Sequence, residues 1–296
     1  MESSRLARIL CCAAAVALVP SIASGQVQTA PEAPVSARTL ALGGGTHAIA
    51  QSTSALYVNP AAMAMARVYH VDTNVLFDPS QSLWSFGGAV VDSTRTVAAG
   101  LAYNYSLLDG DSRGHNLRIA MAMQIVEGLT LGVTGRYLDI SGPATTNNVR
   151  GVGWSGFTVD VGIAARPWRW LMLGVTGYSL SNPDTALSPL SIGGGIGIAP
   201  IETLTIVADN VWDLTSFASG PRGRFSGGVE FLASHVPLRV GYTYDMIRAD
   251  HDVQSITAGI GYLDQMFGAE FGMRQEIVGG SQTTLLLNLR YFHRIL

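Results

Sequence analysis

Charged side chains recur within the apolar segments of this sequence, and they are its first candidates for chemistry. They are arginines and carboxylates, two groups that recognise each other through charged hydrogen bonds. Such residues can form ion pairs that hold a structure together and grip a neighbouring segment. Alternatively, the arginines can bind the carboxylate of a ligand or line a polar path. The nine residues are Arg118, Arg136, Asp160, Asp209, Arg239, Asp245, Glu270, Arg274 and Arg290.

No motif in the sequence indicates an enzyme. The stretch "GWSGF" at residues 153–157 differs from a Gly-x-Ser-x-Gly nucleophile elbow, because Phe157 replaces the last glycine. The stretch "DHD" at residues 250–252 could ligate a metal, but three adjacent polar residues are more often a solvated loop. We therefore predict a protein that is not an enzyme, with no cofactor and no metal site.

The charged residues lie on segments that read as strands. From residue 67 onward, stretches of alternating apolar and polar residues follow one another, separated by turn-forming residues. Each is about 9 to 12 residues long, the length of a tilted strand that crosses a bilayer. The fourteen predicted strands begin near Val68, Leu83, Thr96, Asn116, Leu129, Ser155, Leu171, Ser188, Thr203, Arg224, Val236, Gln254, Phe267 and Thr283.

The charges also indicate which face of each strand is apolar and which is polar. In "VPLRVGYTYD", at residues 236–245, the apolar side chains share one face, whereas Arg239 and Asp245 share the other. Placing Arg239 in lipid near the bilayer midplane would cost about 2–4 kcal/mol, so in a membrane the apolar face points outward. A soluble barrel would reverse this arrangement and fill its interior with large apolar residues. A soluble sandwich with an apolar inner face remains the alternative.

Composition favours the membrane interpretation. Charged residues make up 13% of the chain, against roughly 25% in typical soluble domains. The chain contains no lysine, so nothing forms a basic patch for nucleic acid. After the first 25 residues there is no cysteine, and no later apolar run is long enough for a helical span. These features are typical of a bacterial outer-membrane barrel.

The first 25 residues predict a secretory signal peptide. Two arginines precede the apolar run "ILCCAAAVALVPSIA", and small residues follow, so we expect cleavage near Gly25. Cys11 and Cys12 lie within the run and not at its end, which argues against a lipid-anchored cysteine. We expect residues 26–66 to form a periplasmic lead and an N-terminal hatch, and residues 67–296 to form the barrel.

The lengths of the connections support this topology. The turns after even-numbered strands are short, as in "EG" and "ASH", whereas most connections after odd-numbered strands are longer. Outer-membrane barrels have short periplasmic turns and longer external loops. An even number of strands then places both termini in the periplasm. The predicted fold is all-β, a 14-stranded antiparallel transmembrane barrel with a small hatch segment in its lumen.

The segment before the first strand carries the most specific signal. Its sequence "ALGGGTHAIAQSTSALYVNPAAMA" has neither a helical nor a strand period. Pro60 disfavours a helical conformation at Asn59, so we expect Asn59 to N-cap a helical turn at residues 61–65. The segment resembles the N-terminal signature of the long-chain fatty-acid outer-membrane transporters (FadL-like) and their PorV-type relatives. The matching residues are Gly43, Gly44, Ala50, Ser54, Ala55, Leu56, Tyr57, Asn59, Pro60 and Ala61.

The resemblance implies a fourteen-stranded barrel whose N-terminal hatch closes the lumen. One functional hypothesis is passive transport of hydrophobic small molecules such as fatty acids, gated by the hatch. The other is a PorV-type accessory that docks or anchors exported proteins, which the short connections favour. In either case we expect outer-membrane lipid and the barrel-assembly machinery as partners, with a hydrophobic small molecule or an exported protein as the third.

Overall fold

The computed structural model describes residues 36–107, 112–141, 154–183, 185, 187–217, 219–247 and 251–294. The predicted signal peptide, including Cys11 and Cys12, lies outside the described residues, as does the lead up to residue 35. The described part divides into a short N-terminal segment, residues 36–66, and the barrel that follows it. We call residues 36–66 the hatch.

The barrel is closed and antiparallel throughout. Each strand pairs with its neighbours in the sequence, and the first strand pairs with the last from Val68–Arg294 to Phe77–Leu285. Closure removes the free edges that an open sheet would expose. The strands are β1 Val68–Asp78, β2 Leu83–Asp92, β3 Val97–Leu107, β4 Arg113–Val126, β5 Leu129–Ser141, β6 Trp154–Trp168, β7 Leu171–Tyr178, β8 Ser191–Ile201, β9 Leu204–Asp213, β10 Arg222–Ala233, β11 Val236–Asp245, β12 Val253–Leu263, β13 Phe267–Val278 and β14 Thr283–Arg294.

These strands confirm the predicted fourteen, with small shifts at their ends. The first residue differs from the prediction most at β4 and β8, which begin at Arg113 and Ser191. The turn between β6 and β7 is confined to two residues of the stretch "RPWRW" at 166–170. Strand β6 continues through an irregularity between Ala165 and Trp168 before it turns at residues 169–170. A β-bulge of this kind lets a strand continue past a proline.

The two faces of the wall are as predicted. Phe157 and Val240 point outward and are 60% and 58% exposed, whereas Asp160 and Glu270 point inward and are 2% and 1% exposed. Large apolar side chains therefore cover the outside of the barrel, and small or polar side chains line its inside. This is the distribution of an outer-membrane barrel and the reverse of a soluble one.

The apolar outer face predicts a depth-dependent cost for a charge. Val240 lies in the middle of β11, so we expect Val240→Arg to lower the free energy of unfolding in lipid vesicles by about 2–4 kcal/mol. Val236→Arg at the end of the same strand is the matched control, with an expected cost of about 0–1 kcal/mol. Denaturant titration followed by tryptophan fluorescence measures both. Equal, small costs would contradict contact of this face with hydrocarbon.

The hatch consists of four short helical elements joined by turns. They are the α-helix α1 (Ala37–Ala41), the 3₁₀ turn η1 (Ser52–Ser54), the α-helix α2 (Ala55–Val58) and the 3₁₀ helix η2 (Pro60–Met65). Ser36 caps α1 by accepting a hydrogen bond from the Thr39 backbone N–H. The described part of the hatch thus begins with a capped helix. In the described part of the chain, no helix has the length and apolar character needed to cross a membrane.

Candidate functional site in the barrel lumen

The hatch lines the inner wall of the barrel along a nearly complete circuit. From its start it passes β13 and β12 at α1, then β11 and β10 at Leu42 and Gly43. It then meets β9, β8 and β7 around His47. The helices α2 and η2 pack against β3 to β6, and η1 reaches β1 and β2. The lumen is therefore occupied at this level by residues 36–66.

Inward-facing glycines make this close fit possible. At each of them, an added Cβ would come within 3 Å of a hatch atom. Real Cβ atoms essentially never come that close, so any larger residue would displace the hatch or the strand. Nine strands contribute to this set, which comprises Gly100, Gly132, Gly162, Gly174, Gly193, Gly197, Gly228, Gly241, Gly259 and Gly272.

Gly132 offers a direct test of this fit. A Cβ at Gly132 would overlap the backbone of Pro60 and Ala61, which has no flexible end that could move aside. We expect Gly132→Ala to loosen the hatch and increase its proteolysis in the folded barrel. Gly227→Ala is the control, because its Cβ would meet only ordinary contacts on the outer face. Equal protection of the hatch in both variants would contradict a tight fit.

The Asn-Pro-Ala triplet makes hydrogen bonds both within the hatch and to the barrel strand β6. Asn59 accepts a hydrogen bond from the Ala61 backbone N–H at 3.2 Å and caps η2, while Pro60 occupies the first position of that helix. The Asn59 amide also donates to the carbonyl oxygens of His47 and Ile163, both at 3.0 Å. Asn59 is fully buried, so these bonds satisfy a side chain that water does not reach.

The Ser-Ala-Leu-Tyr stretch contacts the wall at β3 and β4. Ser54 bonds to the backbone of Gln51, and Ala55 is fully buried. The Tyr57 hydroxyl donates to Asn104 at 2.7 Å, and burial raises the pKa of this phenol well above its ordinary value. Arg118 lies 5.1 Å above the Tyr57 ring and donates to the Leu56 carbonyl at 3.1 Å. A tyrosine held in this way stays neutral.

The glycine pair at the start of the signature makes a turn. Gly43 and Gly44 have φ angles of 76° and 86°, which favour glycine. The turn brings the Gly43 carbonyl to Thr243, whose hydroxyl donates to it at 2.6 Å. Two residues earlier, the Ala41 carbonyl accepts a hydrogen bond from the Thr257 hydroxyl at 2.9 Å. The hatch backbone is thus bonded directly to β11 and β12.

A chain of buried ion pairs connects the hatch to β10, β11, β13 and β14. Arg38 of α1 makes two bonds of 2.8 Å to the carboxylate of Glu230. Arg239 lies 2.5 Å from Glu230 and 2.6 Å from Glu270, and Glu270 also pairs with Arg290. Burial alone lowers the pKa of the Arg38 guanidinium, but the Glu230 carboxylate outweighs it and the net shift is upward. Arg38 therefore stays charged inside the barrel.

A second charged group lies on β4, β5 and β6. Arg118 is 3.4 Å from Asp160, whose other oxygen accepts the Ser179 backbone N–H at 2.9 Å. Arg136 faces Arg118 directly across the β4–β5 pair. Two inward-facing arginines therefore share this patch with one carboxylate, Asp160, whereas the Arg38 chain alternates positive and negative groups.

His47 of the hatch sits in a socket on β7, β8 and β9. Its Nδ1 lies 2.5 Å from an oxygen of Asp209, and its backbone N–H donates to the other oxygen at 2.8 Å. Its Nε2 lies 2.7 Å from the oxygen of the Tyr178 hydroxyl, and that hydroxyl donates to the Val58 carbonyl. Glycines at the socket floor, Gly174 and Gly193, leave room for the backbone and ring of His47.

The remaining predicted charged residues, Asp245 and Arg274, have partners on the barrel strands. Asp245 is 3.9 Å from Arg224 and accepts the Ile247 backbone N–H, and Arg274 donates to Thr284 at 3.3 Å. Sequence reasoning missed Arg38, His47 and Glu230, although each is a main hatch contact. The alternation of inward-facing and outward-facing side chains could have identified Glu230 as an inward-facing residue. It lies directly opposite Arg239 on the neighbouring strand. Within the described ranges no group of three or more His, Cys, Asp or Glu could hold a metal.

Comparison with known proteins finds similarity in structure only. No protein-family model and no curated protein sequence matches the chain. The CymD monoaromatic hydrocarbon channel superposes with a TM-score of 0.68 at 13% identity, over 88% of this chain and 97% of that one. The Pseudomonas putida toluene transporter TodX superposes with a TM-score of 0.60 at 15% identity, over 90% and 99%.

A third solved structure extends this comparison. A Pseudomonas aeruginosa FadL homologue superposes with a TM-score of 0.61 at 12% identity, over 88% of this chain and 99% of that one. The three matched proteins are thus a channel, a transporter and a FadL homologue. The closed barrel of fourteen antiparallel strands therefore has the fold of FadL-type barrels.

Proposed function

We propose that this protein is an outer-membrane channel for the passive entry of hydrophobic small molecules, and that the hatch gates it. The observation that supports this most is the fit of residues 36–66 inside the lumen, because a barrel whose lumen is filled needs a movable part before a molecule can pass. The CymD and TodX channels, which share the fold, are a monoaromatic hydrocarbon channel and a toluene transporter.

The experiment that tests the channel is reconstitution into lipid vesicles. We expect the barrel to speed entry of a fluorescent fatty acid or of toluene compared with empty vesicles, without admitting a sugar. Val240→Ala, on the lipid face, is a control variant that leaves the lumen intact. No acceleration of either cargo would contradict transport. A bound exported polypeptide in barrels that move no cargo would favour the docking alternative.

The arginine patch on β4 and β5 bears on the chemistry of the cargo. Arg118 and Arg136 share one carboxylate, Asp160, so a cargo with its own carboxylate would complete the charge balance. We infer that fatty acids are favoured over neutral hydrocarbons. Arg136→Gln should then slow fatty-acid entry and leave toluene entry unchanged, and Arg274→Gln is the matched control. Equal loss of both cargoes would contradict recognition of a carboxylate.

An outer-membrane channel must be exported and then inserted into the membrane. The basic and apolar first 25 residues support export with cleavage near Gly25, although they lie outside the described residues. An integral barrel must also be inserted, so we infer that the barrel-assembly machinery is a partner during biogenesis. Mass determination of the purified N-terminus tests the cleavage site directly.

A further inference from the structure

The ring of His47 has more hydrogen-bond acceptors around it than a neutral histidine can serve. On one side lies the carboxylate of Asp209, 2.5 Å from Nδ1. On the other side lies the hydroxyl oxygen of Tyr178, 2.7 Å from Nε2. A neutral imidazole donates from only one of its nitrogens, whereas an imidazolium donates from both.

The proton of Tyr178 decides between the two states. Its hydroxyl has one proton, and the carbonyl oxygen of Val58, which can only accept, lies in contact with it. That proton is therefore committed to Val58, and the hydroxyl oxygen faces His47 as an acceptor. Nε2 must then carry a proton of its own.

The contact with Asp209 indicates whether Nδ1, the other ring nitrogen, carries a proton. The second oxygen of Asp209 accepts the backbone N–H of His47 at 2.8 Å. An ionised carboxylate only accepts, so Nδ1 must donate to it. Both ring nitrogens thus carry protons, and the positive ring lies against a negative carboxylate in a buried site where each is 3% exposed.

The other described elements around the socket bring no further charged group into contact with the ring, although the Thr176 hydroxyl on β7 also acts on the Tyr178 hydroxyl. Strand β8 contributes Gly193, and the hatch contributes the uncharged amide of Asn59. Asp160 on β6 and Arg118 on β4 act on Tyr178 electrostatically, with opposite signs. Asp209 is thus the charged group in direct contact with the ring among the described residues.

We propose that His47 is a doubly protonated latch that fastens the hatch to β7 and β9 by donating hydrogen bonds from both ring nitrogens. A ring that donates from one nitrogen would leave either Asp209 or Tyr178 without its donor inside the barrel, and a buried polar group without a partner is costly. The consequence for transport rests on the proposed function, whereas the charge of the ring does not.

The charge is measured by nitrogen NMR of protein labelled at its histidines, with the His47→Gln spectrum assigning the His47 signals. We expect protons on both ring nitrogens at pH 7, and on one only in Tyr178→Phe, which removes the acceptor at Nε2. A neutral His47 ring at pH 7 in the unmodified sequence would overturn the proposal. If NMR shows a doubly protonated ring but the barrel moves no cargo into vesicles, only the proposed channel function is contradicted.

The fastening of the hatch is measured by labelling of a thiol introduced as Ser52→Cys, with Cys11 and Cys12 replaced by serine. Ser52 is 6% exposed and its hydroxyl has no hydrogen-bond partner in the described residues, so the substitution is close to neutral. Because thiols react as thiolates, rates are normalised to the thiolate fraction. We expect slow labelling while His47 is present and fast labelling in His47→Gln, which lacks the two ring donors. Equal labelling rates in both backgrounds would overturn the latch.

Discussion

Removal of residues 36–66 is expected to convert a barrel without resolvable single-channel current into an open pore. The wall of fourteen strands encloses a lumen wider than its own side chains can fill, and the hatch occupies it. Without the hatch, the inward face consists mainly of glycine, small polar residues and charges. Such a lining fills with water, so ions and sugars should pass.

Planar-bilayer conductance and sugar entry into vesicles measure this change. The hatch supplies many buried contacts, so the shortened chain must first be shown to fold. A folded barrel is recognised by its heat-modifiable migration in detergent gels. Gly132→Ala in the full chain provides a second variant, which should show intermittent openings. Folded barrels that lack the hatch and still pass neither ions nor sugar would contradict a plugging role.

The second large effect is expected for Glu270→Gln. Glu270 is 1% exposed and lies between Arg239 and Arg290, so its carboxylate compensates two buried guanidinium groups. The amide has the same shape without the charge, and it leaves those arginines facing each other. Breaking a buried pair by removing one partner costs about 3–5 kcal/mol, and we expect a loss of free energy of unfolding of that size.

Denaturant titration in lipid vesicles measures the loss, with Glu202→Gln in the exposed β8–β9 turn as the matched control. Glu202 has the same chemistry but is solvated, so its substitution should change stability little. The double variant Glu270→Gln with Arg239→Gln should recover part of the loss, because it removes one uncompensated charge. A loss below about 1 kcal/mol, the usual size for exposed ion pairs, would contradict a buried network that matters for folding.

Alternation along the chain was sufficient to predict the wall. A strand turns its side chains to opposite faces with a period of two, so the positions of Arg239 and Glu270 within apolar segments indicated which face is inside. The same local pattern fixed the number of strands and nearly all of their starts. Asn59 and Pro60 likewise act through their own backbone geometry, and the helical turn expected after them is present as η2.

The partners inside the lumen depended on the tertiary structure. Arg38 and Glu230 are 192 residues apart, and nothing local to either indicates the other. By sequence, Gly193, Gly195 and Gly197 could serve close packing of the hatch or strand curvature. In the folded chain Gly193 and Gly197 lie against His47 and Ile49 of the hatch, whereas Gly195 lies against Asp209 of the neighbouring strand. His47 gave no signal in the sequence, because a lone histidine has none until closure of the barrel brings Asp209 and Tyr178 to its two nitrogens.

The sequence by itself therefore determined the barrel, its inner and outer faces and the presence of a segment that does not belong to the wall. Only the tertiary structure decided how that segment is held, because its contacts join residues distant in sequence across a closed ring of strands. Periodicity is a property of neighbouring residues, whereas charge pairing in the lumen is a property of the enclosed space.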